Sequence, residues 1–197
     1  MIIWHENFSH GDKINQDLIE RYQTDFFLKG DPPHNDHGLH YTGYHLNPHS
    51  AWKIRNGSEL GGGYLDRELL SLYVPKLKSI LEIIGLNTEF EQVHKDKKAI
   101  FSFQHIWGQL YKNGLECKID VHNHFTSAGD LLSWVHFVQV PDKKLFFFQL
   151  GDKKVYPETQ NSGDLIVYPS YAPHGVDVMT EGDEPRFVVV GNIHRIK

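Results

Sequence analysis

The chain has 197 residues, of which 40% are hydrophobic and 23% charged, a composition typical of one soluble globular domain with a buried core. Its net charge of -5 argues against binding to duplex nucleic acid or to an anionic membrane, because both repel an acidic surface. The single cysteine, Cys117, excludes an internal disulfide and a cysteine-based zinc cluster. No apolar run reaches the roughly 18 residues that cross a bilayer. The first residues also become polar too soon for a signal peptide, so we expect a cytoplasmic protein.

The N-terminal third begins with a short strand and a helix and continues into a long connection. Residues 1–8 predict a strand, and residues 12–28 carry apolar side chains at helical spacing until tandem prolines at 32 and 33 end the helix. Residues 31–64 are rich in Gly, Pro, Asn, Ser and His, which predicts an irregular segment that could serve as a lid. Its five histidines follow no metal-binding spacing, so packing within the segment is favoured over a second metal site.

A second helix is predicted over residues 66–86 from its apolar stripe. Pro75 lies inside this stretch and is expected to kink the helix or divide it. Gly85 and Asn87 are natural residues to end it, because both tolerate a left-handed backbone.

From residue 100 onward the pattern is that of strands separated by turns. The predicted strands cover residues 100–111, 119–125, 131–140, 144–150, 165–168 and 186–196. Helices followed by a run of strands predict a mainly β fold: an antiparallel sandwich or barrel with helices packed outside. We therefore expect one domain over 1–197, in which 1–99 supports a core formed by 100–197. The aromatic run Phe146-Phe147-Phe148 is expected to pack in that core.

A histidine pair in the strand over residues 119–125 is the strongest functional signal. Residues two apart on a strand face the same side, so His122 and His124 project together. A third imidazole, from His174 after Pro173, could complete a metal site, and Pro173 would restrict the backbone before it. Imidazole binds iron, copper, nickel and zinc, so the pattern indicates a metal without identifying it.

Arg186 begins the last predicted strand, twelve residues after His174. We expect an antiparallel hairpin, turning at residues 180–185, to bring Arg186 beside the strand of His174. The even-numbered face of this strand is Arg186, Val188, Val190 and Asn192. Three environments fit such an arginine: water at the strand mouth, an ion pair with one of the chain's own carboxylates, or a bound carboxylate whose two oxygens match its planar fork. The candidate metal histidine twelve residues earlier favours the bound carboxylate.

Several motifs, taken in order, resemble the iron(II)/2-oxoglutarate-dependent oxygenases, and most closely a branch common in marine bacteria and their phages. The motifs are Trp107-Gly-Gln-Leu-Tyr111-Lys-Asn-Gly114, His122-Asn-His124, Leu132-Ser133, Pro169-Ser-Tyr-Ala-Pro-His174 and Arg186-Phe-Val-Val-Val-Gly-Asn192-Ile. The resemblance covers about residues 104–194. It implies a double-stranded β-helix core of the jelly-roll or cupin-like type, preceded by helices.

The resemblance also implies the cofactors and the residues that bind them. His122, His124 and His174 would hold iron(II), Arg186 would bind the distal carboxylate of 2-oxoglutarate, and Tyr111 would line the co-substrate pocket. No catalytic residue is implied beyond the metal ligands. The implied activity is hydroxylation of an unknown small molecule or peptide, driven by oxidative decarboxylation of 2-oxoglutarate to succinate. Trp134, His136 and Phe137 stand where the family often has small residues and tyrosine, which predicts a reshaped pocket.

The chain departs from the family's usual triad, in which a carboxylate follows the first histidine. One alternative ligand set is Asp120, His122 and His174, because the His-x-His set requires a small insertion after Gly114. Two alternative functions also stay open. One is a cupin-like metalloprotein that does not use 2-oxoglutarate, although only Asp130 stands near the glutamate of the first cupin motif. The other is a non-catalytic jelly-roll binding or structural protein.

Overall fold

The structure of the chain is a computed structural model. It describes residues 1–8, 16, 18, 62–86, 101–111, 118–125, 130–180, 182–184 and 186–195, with the backbone alone at 62–72, 101–111, 130, 194 and 195. Cys117 and residues 31–61 of the predicted irregular segment lie outside this set. Of the predicted helix over 12–28, Gln16 and Leu18 are described; both are helical, and Leu18 is buried.

The elements form two antiparallel sheets and a helix. In chain order they are β1 (Trp4–Asn7), α1 (Gly62–Ile83), β2 (Phe101–Tyr111), β3 (Ile119–His122), β4 (Asp130–Gln139), β5 (Phe146–Leu150), β6 (Lys153–Val155), β7 (Asp164–Pro169), β8 (His174–Val176) and β9 (Arg186–Arg195). The five-stranded sheet has the order β1-β7-β4-β9-β2, and the four-stranded sheet has the order β3-β8-β5-β6. The predicted sandwich of antiparallel strands is confirmed.

Helix α1 covers the outer side of the five-stranded sheet. Its buried residues Tyr73, Leu77, Ile80 and Leu81 form one cluster with side chains of β4, β7 and β9. The helix begins at residue 62, earlier than predicted, because glycine is tolerated in a first turn whose N–H groups need no intrahelical partner. Pro75 lies on the exposed side of one continuous helix, so of the two predicted outcomes, a kink or a division, the division does not occur.

The predicted end of α1 at Gly85 is confirmed. Gly85 has a φ of 79°. Its N–H donates to the carbonyl of Glu82 and that of Leu86 donates to the carbonyl of Leu81, the paired bonds of a Schellman cap. Asn87 lies outside the described residues. In the part of the chain that the structure describes, no helix combines the length and the apolar character that crossing a membrane requires.

Alternate residues of β4 and β9 face two different layers. In β9, Phe187 and Val189 pack toward α1, whereas Val188 and Val190 pack toward the four-stranded sheet. In β4, Trp134 packs toward α1 while Phe137 faces between the sheets. His136 likewise contacts Tyr73 of α1, so the expectation that Trp134 and His136 reshape the inter-sheet pocket was wrong.

The position of β9 also differs from the sequence prediction. We expected Arg186 to lie on a strand paired with that of His174, but β9 pairs with β4 and β2 in the opposite sheet. β8 pairs with β3 on one side and β5 on the other, so neither edge is left for β9. A turn at Thr180–Asp183, closed by the N–H of Asp183 and the carbonyl of Thr180, precedes the passage of the chain to the other sheet. β6 and β8 were not predicted, because three-residue strands give too little periodicity.

Candidate metal centre

Three histidines converge at the start of β8, where His174 is buried, His124 is half-buried and His122 is exposed. Each of His122, His124 and His174 offers a ring nitrogen, and these nitrogens lie within 4.8 Å of one another. The Nε2 atoms of His122 and His124 are 3.2 Å apart. Two ligands each about 2.1 Å from one ion are separated by about 3.0 Å at a right angle and about 3.4 Å at a tetrahedral angle. His122 and His124 therefore already have the spacing of ligands that share an ion.

A bulge in β3 turns His122 toward this point. Ile119 pairs with Val176 and His122 pairs with His174, so three residue steps on β3 match two on β8. The extra residue lets Ile119 and His122 face the interior although their spacing is odd.

His124 lies just beyond the end of β3 and is held by the chain that leads to β8. Its backbone N–H donates to the carbonyl of Ser170 at 2.9 Å. The alternate residues Val121 and Phe125 are exposed, as expected for side chains on the opposite face of an extended segment.

Each histidine is fixed in the same tautomer. The Nδ1 of His122 lies 2.9 Å from the carbonyl oxygen of Asp120, and that of His174 lies 2.9 Å from the carbonyl oxygen of Ala172. The Nδ1 of His124 lies 2.7 Å from Oδ1 of Asn192. A carbonyl or amide oxygen can only accept, so each Nδ1 donates and each Nε2 keeps its lone pair for a metal. Such outer partners orient metal ligands and are part of a metal site.

Two serines extend the support of His124. Ser133 Oγ donates to Asn192 Oδ1 at 2.9 Å and lies 3.1 Å from Ser170 Oγ. Asn192 was noted in the sequence only as the polar end of an apolar face, and the roles of Ser133 and Ser170 were missed. The sequence did contain a signal for Ser133, because it is a polar residue on the same face of β4 as the apolar residues Val135 and Phe137.

Burial keeps His174 neutral. Its pKa is lowered to about 3, first by burial and then by the neighbouring charge of His122, against an opposing effect of its hydrogen bond to Ala172. A neutral imidazole is the form that binds a metal.

Arg186 is buried in the same inter-sheet interior, with 2% of its surface exposed. Its guanidinium carbon lies 5.9 Å from the ring centre of Phe137. In the backbone ladder Arg186 pairs with Tyr111 of β2, and Asn192 stands six residues further along β9. The side chain of Tyr111 lies outside the described residues.

Tyr168, which sequence reasoning missed, lies beside the candidate ligand His174 and within the electrostatic influence of Arg186. Its hydroxyl lies 3.3 Å from Nε2 of His174. Its pKa is raised far above the ordinary value by burial, and the charge of Arg186 opposes this rise. The phenol therefore stays protonated at the border between the histidines and the arginine.

Asp120, the alternative ligand, is turned away from the cluster. Two thirds of its side chain is exposed, and its carboxylate pairs with Lys118 at 3.0 Å. Within the described parts of the chain, His122, His124 and His174 form the group of at least three histidine, cysteine or acidic side chains that converge.

No protein-family model and no curated protein matches the sequence. Among solved structures, a prolyl-4-hydroxylase from Pseudomonas putida is similar at a TM-score of 0.59 and 14% identity, with 98% of this chain and 92% of that chain covered. A prolyl hydroxylase from Trichoplax adhaerens, in complex with a peptide of the hypoxia-inducible factor oxygen degradation domain, gives 0.57 and 12%, with 98% and 83% covered. The chain has the double-stranded β-helix fold.

A third similar structure extends the range of enzymes that share this fold. SnoN, a non-heme α-ketoglutarate-dependent epimerase from nogalamycin biosynthesis, matches at a TM-score of 0.50 and 14% identity, with 75% of this chain and 70% of that chain covered. At these identities the likeness concerns the fold. The double-stranded β-helix is mainly β and carries its helix outside, as the sequence predicted.

Proposed function

We propose that the protein is an iron(II)- and 2-oxoglutarate-dependent oxygenase that hydroxylates a small molecule or a peptide. The observation that carries this proposal is the convergence of three imidazoles, exposed at His122, half-buried at His124 and buried at His174, beside the interior that also buries Arg186. The fold supports it, because two prolyl hydroxylases and a non-heme α-ketoglutarate-dependent epimerase are among the proteins that share this double-stranded β-helix. The substrate range is proposed from the same comparison, in which one hydroxylase holds a peptide.

The histidine set fits a first-row divalent metal such as iron(II). His122, His124 and His174 would bind it through Nε2, and three protein ligands leave further positions for co-substrate. When bound, the metal would let dioxygen oxidise both 2-oxoglutarate and substrate, with one oxygen atom entering succinate as carbon dioxide is released and the other converting a C–H bond to C–OH.

The arrangement of charge fits a dicarboxylate as co-substrate. One cationic position is the metal held by neutral ligands, and the other is Arg186, whose planar fork suits a carboxylate. Burial strengthens the attraction between Arg186 and an anion, because the local dielectric constant is low. The hydroxyl of Tyr168, between these positions, would donate a hydrogen bond to the co-substrate. Tyr111 is proposed to line this pocket because it pairs with Arg186 in the ladder.

Aromatic side chains beside His174 would keep water from the reaction. The ring of Phe146 lies 5.6 Å from that of His174, and Phe148 is the strand partner of His174. Both phenylalanines are buried. A dry surround protects a reactive oxidant and strengthens the electrostatic interactions in the site.

A cupin-like metalloprotein that does not use 2-oxoglutarate is the second candidate. The observation that favours it is the all-histidine ligand set, since the usual oxygenase triad includes a carboxylate. Arg186 favours the oxygenase, because a reaction that needs only the metal does not require a buried group that binds a carboxylate.

Succinate release tests the proposal. The iron(II)-loaded protein is incubated with 2-oxoglutarate in air, and succinate is measured for wild type, Arg186→Lys and Arg186→Gln. Removing one partner of a buried charge pair costs about 2–5 kcal/mol, so Arg186→Gln should raise the KM for 2-oxoglutarate at least about 30-fold. Arg186→Lys keeps the charge and should be affected less.

Metal binding and thermal unfolding of each variant serve as controls, because a folded, metal-loaded Arg186→Gln protein isolates the co-substrate site. If the wild-type protein binds iron but releases no succinate, and 2-oxoglutarate does not bind, the oxygenase proposal is wrong and the cupin-like alternative takes its place.

A further inference from the structure

The hairpin of β5 and β6 extends the inner face of the four-stranded sheet beyond the histidines. His122 pairs with His174, His174 pairs with Phe148, and Phe148 pairs with Val155. Directly paired residues of antiparallel strands project to the same side of a sheet. Val155 of β6 therefore lies in the same row as two of the metal ligands, on the same face.

The inner face continues on both sides of the row that contains His174. Val176 pairs with Phe146, which places Phe146 on the core side of His174. Leu150 stands two residues beyond Phe148 in the other direction, and it pairs with Lys153. Leu150 and Lys153 thus continue the inner face on the side away from the core.

The apolar residues of this hairpin that lie near its turn are exposed. Phe146 and Phe148 are buried, whereas Leu150 is 50% exposed and Val155 is 44% exposed. Gly151 has a φ of 59° at the first central position of the two-residue turn that joins the strands, as in a type II′ hairpin. We call Leu150, Lys153 and Val155 the hairpin ledge. It is a preformed apolar surface beside the metal centre.

The two lysines of β6 differ in a way that points to an anionic ligand. Lys154 faces the outer side, where its ammonium pairs with Asp177 at 2.5 Å and lies 4.4 Å from the ring centre of Phe147. Lys153 faces the inner side, and no carboxylate of the described residues forms an ion pair with it. In a chain of net charge -5, a cation of this kind beside an apolar surface fits a ligand that carries its own negative charge.

We propose that the hairpin ledge binds the substrate that is to be oxidised, and that this substrate is an organic anion with an apolar chain. Its anionic group, a carboxylate or a phosphate, pairs with Lys153, and its chain lies on Leu150 and Val155 with its far end toward the histidines. Two strand spacings and two residue rises separate His174 from Lys153, a Cα distance of about 12 Å. The oxidised carbon is therefore remote from the anionic group. This inference rests on the proposed function, because it takes the histidine cluster as the reaction centre.

Binding of octanoate to the manganese(II)-loaded protein tests the proposal without turnover. Oxygen is removed and 2-oxoglutarate is added to occupy the carboxylate site at Arg186. Octanoate proton relaxation is then followed by NMR. We expect saturable binding in which the terminal methyl relaxes faster than the methylene next to the carboxylate, because the methyl lies nearer the metal. Octyl phosphate in a parallel series distinguishes a phosphate preference from a carboxylate preference.

The matched variants are Lys153→Gln and Lys154→Gln, neighbours on one strand that face opposite sides. An exposed ion pair contributes up to about 1 kcal/mol, so Lys153→Gln should weaken octanoate binding roughly fivefold, and Lys154→Gln should not change it. Octan-1-ol, which lacks the charge, should bind the two variants equally.

Equal effects of the two lysine variants would overturn the proposal, as would fastest relaxation next to the carboxylate, which would place the anion at the metal. If the proposed function fails while the histidines still bind manganese(II), succinate release is absent but saturable octanoate binding and its dependence on Lys153 persist.

Discussion

Two buried histidines, His174 and His136, have the same pKa and different surroundings. His174 lies between the two sheets, and His136 lies between the five-stranded sheet and α1. Both are almost fully buried, and burial lowers the pKa of each to about 3. Both imidazoles are therefore neutral at neutral pH.

The contacts of each ring distinguish a histidine that packs in the core from one that is a candidate metal ligand. His136 Nδ1 lies 2.5 Å from the hydroxyl of Tyr73, and the ring stacks on Phe8. His174 instead turns its Nε2 toward two other imidazoles, whose ring centres lie 4.5 and 4.9 Å from its own. A lowered pKa thus reports burial alone, and the convergence of several nitrogens indicates a site.

The same substitution at the two positions should separate these roles most strongly. His174→Asn removes a ligand and should lower the affinity for iron(II) or zinc(II) at least about 100-fold, more than a change in an outer partner would. His136→Asn should leave metal affinity unchanged and instead lower the midpoint of urea unfolding, because it removes a ring packed in the core. Isothermal titration and urea unfolding of both proteins test this prediction. Equal metal affinities would show that His174 is not a ligand.

Asn192 should contribute to the metal centre through His124 without touching the metal. Asn192→Ala removes the acceptor of His124 Nδ1–H and should weaken metal binding about 10- to 100-fold. Asn192→Asp keeps an acceptor oxygen and should restore most of the affinity. If Asn192→Asp binds metal as poorly as Asn192→Ala, the amide acts through packing and not through the tautomer of His124.

Acid should destabilise the protein through His136. In the unfolded chain the pKa of this histidine returns to about 6.5, so below this pH the unfolded state binds a proton that the folded state does not bind until about pH 3. Stability attributable to His136 is complete above pH 6.5 and is lost as the pH falls. Between pH 7 and pH 5 the loss is about 2 kcal/mol. The charge of Asp164 raises the pKa of His136 and moderates the loss.

Urea unfolding of wild type and His136→Asn at pH 7 and pH 5 measures this contribution, because any effect of His174 cancels between the two proteins. An equal loss of stability in both would assign the acid sensitivity to other groups.

The smallest expected effect is that of the hydrogen bond between α1 and His136. Tyr73→Phe removes the hydroxyl that bonds to Nδ1 and should cost about 1 kcal/mol of unfolding free energy. Metal affinity should not change, because α1 lies on the far side of the sheet from the metal centre. A change in metal affinity would indicate that the two histidine environments are coupled.

Local periodicity made much of the fold and of the candidate site predictable. The two-residue period of strands placed His122 and His124 on one face, and the even-numbered face of β9 placed Arg186 and Asn192 toward the interior. Those features depend on neighbours in the chain, which a single sequence displays. The assignment of these residues to metal and co-substrate stays a prediction.

The features that were not predicted depend on contacts between distant segments. The pairing of β9 with β4 and β2 follows from the use of both edges of β8 by other strands, which no local pattern records. Tyr168 was missed because only the packing of the two sheets brings its hydroxyl beside His174. The bulge in β3 was missed because its extra residue is evident only against the partner strand.

Gly175 makes the spacing of the metal ligands depend on the outer surface of the protein. A methyl group at this position would meet the backbone oxygen of Ile119 and the ring of Phe147, each at 2.8 Å. Phe147 lies on the outer face, where Lys154 covers it, whereas His174 and His122 lie on the inner face. A smaller residue at 147 would let β3 and β8 shift against each other. The spacing of the three histidines thus depends on packing at the outer face of the sheet, which makes residue 147 a starting point for directed evolution of the proposed activity.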